Sequence, residues 1–350
     1  MTQVIAQQLW FTDIHTLEVR SQTLPPLKPG ELLIQTQLSA VSAGTELLVY
    51  LGQIPTEMAL DASLAAIQQK PAYPLQYGYA SVGRVIQVAS SLDAEWLGKR
   101  VFAFQPHASH FIATPANLIP VPEDISVQNA VFLANMETAV NLVQDGSPGL
   151  GEQVVVLGQG IVGLLLAGML AQYPLAQLVA VDAIAHRRQQ ALQLGATQVF
   201  DPFDAADIDR LKQELNTASS KGADLIYEVS GTPDALNLGI ELSGFASRLV
   251  IGSWYGSKSS PIALGGHAHR NRLKIITSQV SSIAPELTGR WDKTRRFAVA
   301  WEMIRRIKPE QWLSHNLSLG DAPSLYQQLQ QNPGDILQAV FTYDATNTQD

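Results

Sequence analysis

The chain contains no cysteine. That excludes disulfides and thiolate metal ligands, and it fits a reducing compartment. Charge is also sparse: charged residues are 15% of the 350, the net charge is -8, and no long basic stripe is present. The electrostatic footprint of a nucleic-acid binder is therefore missing. There is no internal repeat and no low-complexity tract. The start, MTQVIAQQLWFTDIHTLEV, lacks the basic onset and apolar core of a signal peptide, and the closing TYDATNTQD is polar and expected to fray. The apolar run over residues 154–171 is long enough to raise a membrane-span reading. Gly158, Gln159 and Gly160 break it near its start and Asp182 follows it, so a buried strand and helix account for it better.

What is present is organised around residues 152–182, EQVVVLGQGIVGLLLAGMLAQYPLAQLVAVD. Residues 154–157 read as a buried strand. Gly158, Gly160 and Gly163 then follow in G-x-G-x-x-G spacing, an apolar stretch over 161–171 reads as a helix, and a second buried strand at 178–181 ends in Asp182. Gly158 permits the tight turn, Gly160 lets a pyrophosphate approach the backbone, and Gly163 lets helix and strand pack closely. The free N–H groups at the helix start, on Ile161 and Val162, face an anion. Asp182 falls roughly 20 residues beyond the glycines, where a carboxylate accepts ribose hydroxyls. Strand, glycines, helix, strand and acid in one unit predict dinucleotide binding; a ligand-free flavodoxin-like turn is the bland alternative.

The remaining chain divides around that unit. Residues 1–50 alternate in the β manner, with strands expected at 8–11, 17–19 and 31–39 and a short helix after AVSAG. Residues 56–70 read as an amphipathic helix with Met58, Leu60, Leu64 and Ile67 on its apolar side. YPLQYGYASVGRVIQVA reads as a strand pair, and GKRVFAF and HASHFIAT as further strands. Asp124 or Ser126 is placed to cap a helix starting near Val127. From 151 to 280 strands and helices alternate, as a parallel sheet requires. The carboxyl ends of its strands put Ser230, Gly231, Gly252 and Ser253 on the cofactor side. A helix over 295–308 and a last strand, ILQAVFTYD, return to the first domain. The predicted architecture is α/β, with a β-rich domain over 1–125, a doubly wound parallel-sheet domain over 126–285, and a C-terminal return over 286–350.

The order of these parts resembles the medium-chain dehydrogenase/reductase superfamily, with its GroES-like catalytic domain and Rossmann domain. GQGIVGLLLAGMLA, VDAIAHRRQQALQLGATQVFD, GADLIYEVSG, GKRVFAF and NLIPVPEDIS carry the resemblance over nearly the whole chain. VSAGTE, GYASVGRV, METAVN and HRNRLKIITSQVSSIAPELTGRWDKTRR resemble the zinc-lacking branch named for bacteriochlorophyllide a dehydrogenase, which oxidises a hydroxyethyl substituent on a chlorin to an acetyl group with NAD. Zinc members of the superfamily carry CGTD and GHE blocks. Here the matching stretches are Ala43-Gly44-Thr45-Glu46 and Gly78-Tyr79-Ala80, and the third ligand position falls on Ala134. Zinc needs about three protein ligands even in an open catalytic site, so the resemblance implies an enzyme without zinc. His107 with His110, and His267 with His269, are the residual metal-ligand candidates.

Hydride transfer then needs another group to manage the charge on oxygen. Thr45 matches the relay hydroxyl of the zinc relatives, and Tyr79 stands where an imidazole ligand would be. Tyr79 as oxygen-polarising donor and Thr45 as relay are the expected catalytic pair; a gap-filling aromatic and a helix cap are the plain alternatives. Asn135 and Glu137 are further polar candidates, with Glu137 leaning to a structural role, and the resemblance places Thr138 against the nicotinamide end. Asp182 would repel a 2′-phosphate and favours NAD over NADP, although His186, Arg187 and Arg188 could clasp one; the resemblance puts Arg187 on the adenosine. Arg290, Asp292, Arg295 and Arg296 read as a solvated, paired helix face. The resulting expectation is a cytoplasmic, metal-independent NAD(H) oxidoreductase acting on a secondary alcohol or ketone of small or medium size, without nucleic-acid or membrane partners. A homodimer is expected through residues 273–280. An NADPH-type enone or quinone reductase, and a dinucleotide-binding sensor without turnover, are the alternatives.

Overall fold

The computed structural model describes residues 3–61, 65–68, 70–217 and 220–343. They form two compact units, residues 1–134 with 308–350, and residues 135–307. The sequence placed these divisions at 125 and 285.

The first unit opens with β1 (Ile5–Asp13) and β2 (Thr16–Thr23), an antiparallel hairpin. β3 (Leu32–Ala40) follows, then α1 (Ala43–Tyr50), β4 (Ser81–Val88), β5 (Arg100–Ala103), β6 (His110–Ala113) and β7 (Ile119–Pro120). α2 (Val127–Ala130) starts at Ser126, whose hydroxyl accepts from Asn129 N at 3.1 Å, so Ser126 rather than Asp124 is the cap. Leu32, Ile34, Val85, Val101, Phe111 and Leu118 pack as one buried cluster on the sheet. The segment read as a strand pair gives a single strand, β4; residues 76–80 before it lie outside any strand. The helix expected over 56–70 does not form across the described residues. Residues 56–61 make turns and bends, and Ala65–Ile67 makes one 3₁₀ turn, with Asp61 N bonded to Ile67 O at 3.1 Å. That bond closes a loop where a helix would run i to i+4. Leu60 and Ile67 are buried from the loop and Met58 is 57% exposed; Leu64 lies outside the described residues.

α3 (Leu133–Gly146) leads into the second unit. There β8 (Gln153–Leu157), α4 (Ile161–Leu170), β9 (Gln177–Val181), α5 (Ala185–Leu194), β10 (Gln198–Phe200), α6 (Ala205–Glu214), β11 (Ala223–Glu228), α7 (Ala235–Leu242), β12 (Ser243–Ile251) and β13 (Lys274–Thr277) alternate. The strands pair in parallel in the order β10-β9-β8-β11-β12-β13. The order reverses beside β8, which is where a doubly wound sheet takes its ligand. Every α4 residue except Val162 is buried, which explains an apolar helix without a polar face. No helix of the described residues is long and apolar enough to cross a membrane. α8 (Lys293–Ile307) ends the unit at Lys308, which takes φ 53°.

The C-terminal return contains more than the sequence suggested. β14 (Leu313–Ser318) and α9 (Ala322–Gln331) precede β15 (Gln338–Thr342). β15 pairs antiparallel with β3 and parallel with β14, completing a seven-stranded sheet in the order β14-β15-β3-β4-β5-β7, with β6 paired to β3 off that path. Leu325, Tyr326 and Leu329 bury one face of α9, and Tyr326 thereby reaches the interior of the first unit.

Candidate functional site

The second unit presents the dinucleotide cradle. Gly158 takes φ 97°, and a Cβ there would lie 2.6 Å from Ser230 Cα. A Cβ on Gly163 would collide with the Gly158 carbonyl. Both positions therefore require glycine, one for backbone hand and one for helix–strand approach. Gly160, at the helix N-cap, differs: a Cβ there would meet nothing within 4 Å. Open space over the first turn of α4, where the Ile161 and Val162 amides lie, fits a pyrophosphate. Asp182 is 9% exposed; its carboxylate accepts Gln159 N at 2.6 Å and Ile184 N at 2.8 Å, so the two loops beside β8 and β9 are locked by one side chain. Each oxygen keeps a lone pair for a ribose hydroxyl. Arg187 lies near this carboxylate; burial lowers its guanidinium pKa while Asp182 opposes the shift. Arg188 is committed elsewhere, donating to Asp182 O and to Asp201 Oδ2 at 2.9 Å.

At the end of β11 the residues serve one another first. Glu228 is fully buried, and its carboxylate accepts Ser230 N at 2.7 Å, the Ser230 hydroxyl, and the Tyr255 hydroxyl. Ser253 Oγ accepts Gly231 N at 2.8 Å, and a Cβ on Gly252 would lie 2.7 Å from Leu142 Cδ2. Ser230, Gly231, Gly252 and Ser253, named from sequence, lie together here with Glu228, which sequence reasoning did not single out. An acid closing a buried strand was the available signal. Thr138 is part-exposed on α3. Glu137 is buried and structural: it accepts from Lys293 at 2.7 Å and Arg296 at 3.2 Å. Arg296 is fully buried, which corrects the solvated face expected for it; it also holds Asn141 and the Ser282 carbonyl. Arg295 follows the surface pattern, 4.1 Å over the Trp291 ring.

The first unit gathers hydroxyls over a buried carboxylate. Ser42, Thr45 and Tyr79 are each part-exposed. Tyr79 donates to Ser42 Oγ, and its oxygen lies 3.3 Å from Thr45 Oγ1. A phenol has one proton, which these two acceptors share. Burial raises the Tyr79 pKa above its ordinary 10.0; the hydrogen bonds to Ser42 and Thr45 pull the other way, and the Glu46 charge adds to the rise. The group is a neutral donor at physiological pH. Thr45 is not the cap of α1; Ser42 occupies that position. Beneath them Glu46 is fully buried, accepting Ser42 N at 2.7 Å, His107 Nε2 at 3.0 Å and the Tyr326 hydroxyl. His107 Nδ1 lies 2.6 Å from Ser39 Oγ, which meets the Tyr343 hydroxyl at 2.7 Å. Ser42, Tyr326, Ser39 and Tyr343 were not singled out from sequence, because nothing in a linear pattern joins residues this far apart.

The three positions that the resemblance marks for zinc ligands hold Ala43, Tyr79 and Ala134, and the Tyr79 oxygen is hydrogen-bonded with Ser42 and Thr45. Among the described residues no group of three histidine, aspartate or glutamate side chains is placed to share a metal. The residual histidine pairs do not converge either. Both His107 nitrogens are committed, His110 Nδ1 meets Ser109 Oγ at 3.1 Å, and His267 Nε2 meets Ser243 O at 2.7 Å.

Comparison with known proteins gives this architecture a class. Residues 162–298 match the family model described as zinc-binding dehydrogenase. The D-guloside 3-dehydrogenase of Escherichia coli (strain K12) is 26% identical over 275 residues, 77% of each chain. An E. coli structure described as a short chain alcohol dehydrogenase complexed with NADH superposes with a TM-score of 0.77 at 17% identity, over 97% of this chain and 99% of that one. A Sinorhizobium meliloti protein described as a putative zinc-binding dehydrogenase bound to NADP gives a TM-score of 0.76 at 16% identity, over 97% and 100%. Residues 162–298 are thus similar in sequence to zinc-binding dehydrogenases, and the chain shares the fold of the solved dehydrogenases.

Proposed function

We propose that the chain is an NAD(H)-dependent oxidoreductase that interconverts a secondary alcohol and a ketone without a metal ion, as the zinc-lacking branch of the superfamily does. The observation that carries this reading is the hydroxyl cluster of Tyr79, Thr45 and Ser42, in which Tyr79 stands at a position where the resemblance places a zinc ligand. When bound, the nicotinamide supplies or accepts the hydride. In ketone reduction Tyr79, neutral because its pKa is raised, donates a hydrogen bond to the carbonyl oxygen as negative charge develops there. As the phenol proton passes to the alkoxide, the part-exposed Thr45 hydroxyl turns to the phenol oxygen and relays a replacement proton from solvent. In alcohol oxidation the relay runs in reverse: the phenol oxygen takes the substrate proton as the phenol's own proton leaves through Thr45 to solvent, so no hydroxyl keeps an extra proton. Gly158, Gly160, Gly163 and the Ile161 and Val162 amides would hold the pyrophosphate, and Asp182 the adenosine ribose. Asp182 with Arg188 already paired to Asp201 supports NAD over NADP.

The relative named for a guloside directs the substrate search to glycosides and polyols, beside simple secondary alcohols. The test is calorimetric titration with NADH and NADPH, then a hydride-transfer screen followed by nicotinamide absorbance. NADH should bind the more tightly, and Tyr79→Phe should lower kcat by about 10²-fold, the loss typical of one oxyanion donor. Thr45→Ala should lower it less. Full turnover in both variants would remove these residues from the chemistry. Turnover only on activated double bonds with NADPH would favour the enone or quinone reductase. Dinucleotide binding without turnover across the screen would favour a sensor. A cytoplasmic homodimer completes the proposal. β13 is the edge strand of the six-stranded sheet and leaves Ile275 43% exposed, a side unsuited to solvent. Light scattering of Ile275→Lys should show monomer where the parent chain shows dimer.

A further inference from the structure

We infer that His107 is a positioning residue: its imidazole joins the two segments that carry the reacting hydroxyls and sets Tyr79 against Ser42 and Thr45. The inference rests on the proposed role of Tyr79, but its test reads the Tyr79 side chain directly. Ser42 and Thr45 belong to the start of α1. Tyr79 lies outside any strand, between Gly78 and the start of β4; the β3–β4 pairing reaches only its neighbour, where Ala80 O accepts Ala40 N at 2.8 Å. His107 touches both segments. Through Nε2 it holds Glu46 at 3.0 Å, and Glu46 in turn takes the Ser42 amide at 2.7 Å. On its other side the ring lies on Gly78, the residue before Tyr79. A Cβ on Gly78 would stand 2.8 Å from His107 Cδ2 and 2.9 Å from Nε2, and Gly78 takes φ 115°. Only glycine lets the imidazole come this close.

The ring itself is fixed from behind. Glu46 as a carboxylate only accepts, so His107 carries its proton on Nε2. In the neutral imidazole Nδ1 then accepts from Ser39 Oγ, which accepts from the Tyr343 hydroxyl. Phe341 meets the ring edge-on at 5.0 Å between centroids. Ser39, Glu46 and His107 are all fully buried, so no water competes for these bonds. Ser39 lies on β3, Glu46 on α1, and Tyr343 just past β15. The donor chain therefore ties three parts of the unit to one imidazole.

The experiment uses the full chain labelled with ¹³C at tyrosine Cζ, with the Tyr79 resonance assigned by its loss in Tyr79→Phe. His107→Ala should move that resonance and bring its alkaline midpoint down toward the ordinary 10.0. His107→Gln keeps an N–H for Glu46 and should fall between the variant and the parent. Val101→Ala, a core truncation in the same unit, supplies a loss of melting temperature without touching the network and should leave Tyr79 unmoved. Ser39→Ala, which frees Nδ1, covers the case in which His107→Ala does not fold, and should move Tyr79 in the same direction by less. On a substrate from the screen, His107→Ala should lower kcat about 10- to 100-fold with KM within about twofold, as misplacement of a reacting group does, and His107→Gln should recover part of it. An unmoved Tyr79 resonance in both His107→Ala and Ser39→Ala, or an equal movement in Val101→Ala, would overturn the inference. A moved resonance with full turnover in Tyr79→Phe would keep the positioning and refute the catalytic role instead.

Discussion

Arg296 shows what one residue can hide from a sequence. Its neighbours Arg295, Asp292 and Arg290 suggest a solvated helix face, yet its guanidinium has no exposure and binds Glu137, Asn141 and the Ser282 carbonyl. Burial lowers its pKa and Glu137 opposes that shift, so the pair persists only because each charge is answered. Arg296→Ala leaves buried Glu137 to Lys293 alone and takes the donor from Asn141 Oδ1, and should cost about 3 kcal/mol in denaturant unfolding. Glu137→Leu combined with Arg296→Met should recover most of that loss, since a well-packed apolar pair is often no worse than a buried ion pair. Tyr79 and Thr45 could be picked out because they stand at positions a family pattern marks. Glu46 and His107 could not be paired, since 61 positions separate them and neither has a periodic signature.

The strand–turn–helix of β8 and α4 was the most legible element, because its three glycines have separate physical tasks. Those tasks predict different phenotypes. Gly163→Ala puts a methyl group into the Gly158 carbonyl and should destabilise the unliganded chain. Gly160→Ala meets nothing within 4 Å and has φ -68°. It should leave unliganded stability within about 0.5 kcal/mol while weakening NADH by at least about tenfold, because the methyl group fills the space the pyrophosphate needs. Calorimetry and melting temperature on both variants separate the two effects. The helix expected over 56–70 shows the converse. Its apolar spacing was helical, but Leu60 and Ile67 are buried from a loop closed by Asp61 N and Ile67 O. Periodicity reports which side chains seek the interior, and here tertiary contacts buried them without a helix.

Across the whole molecule, buried phenols set the response to pH. Burial raises the pKa of Tyr79, Tyr227, Tyr326 and Tyr343 above the ordinary 10.0. Below pH 10 native and unfolded states hold these protons equally. Above it the unfolded chain releases them and the native chain does not, so stability falls as pH rises toward the folded values. Melting temperature should be level from neutral pH to about 10 and fall steeply beyond. Tyr326→Phe, which removes the phenol beside Glu46, should soften that fall. By itself the sequence determined the class of fold, the strand–glycine–helix turn, and Ala43, Tyr79 and Ala134 at the positions where the resemblance marks zinc ligands. Each of these is written in local residue spacing or in the identity of one residue at a marked position. Only the tertiary structure decided what lies beneath the Tyr79, Thr45 and Ser42 hydroxyls. Glu46, His107, Ser39, Tyr326 and Tyr343 come from separate stretches, and burying a charge commits them to one another only once the chain has folded.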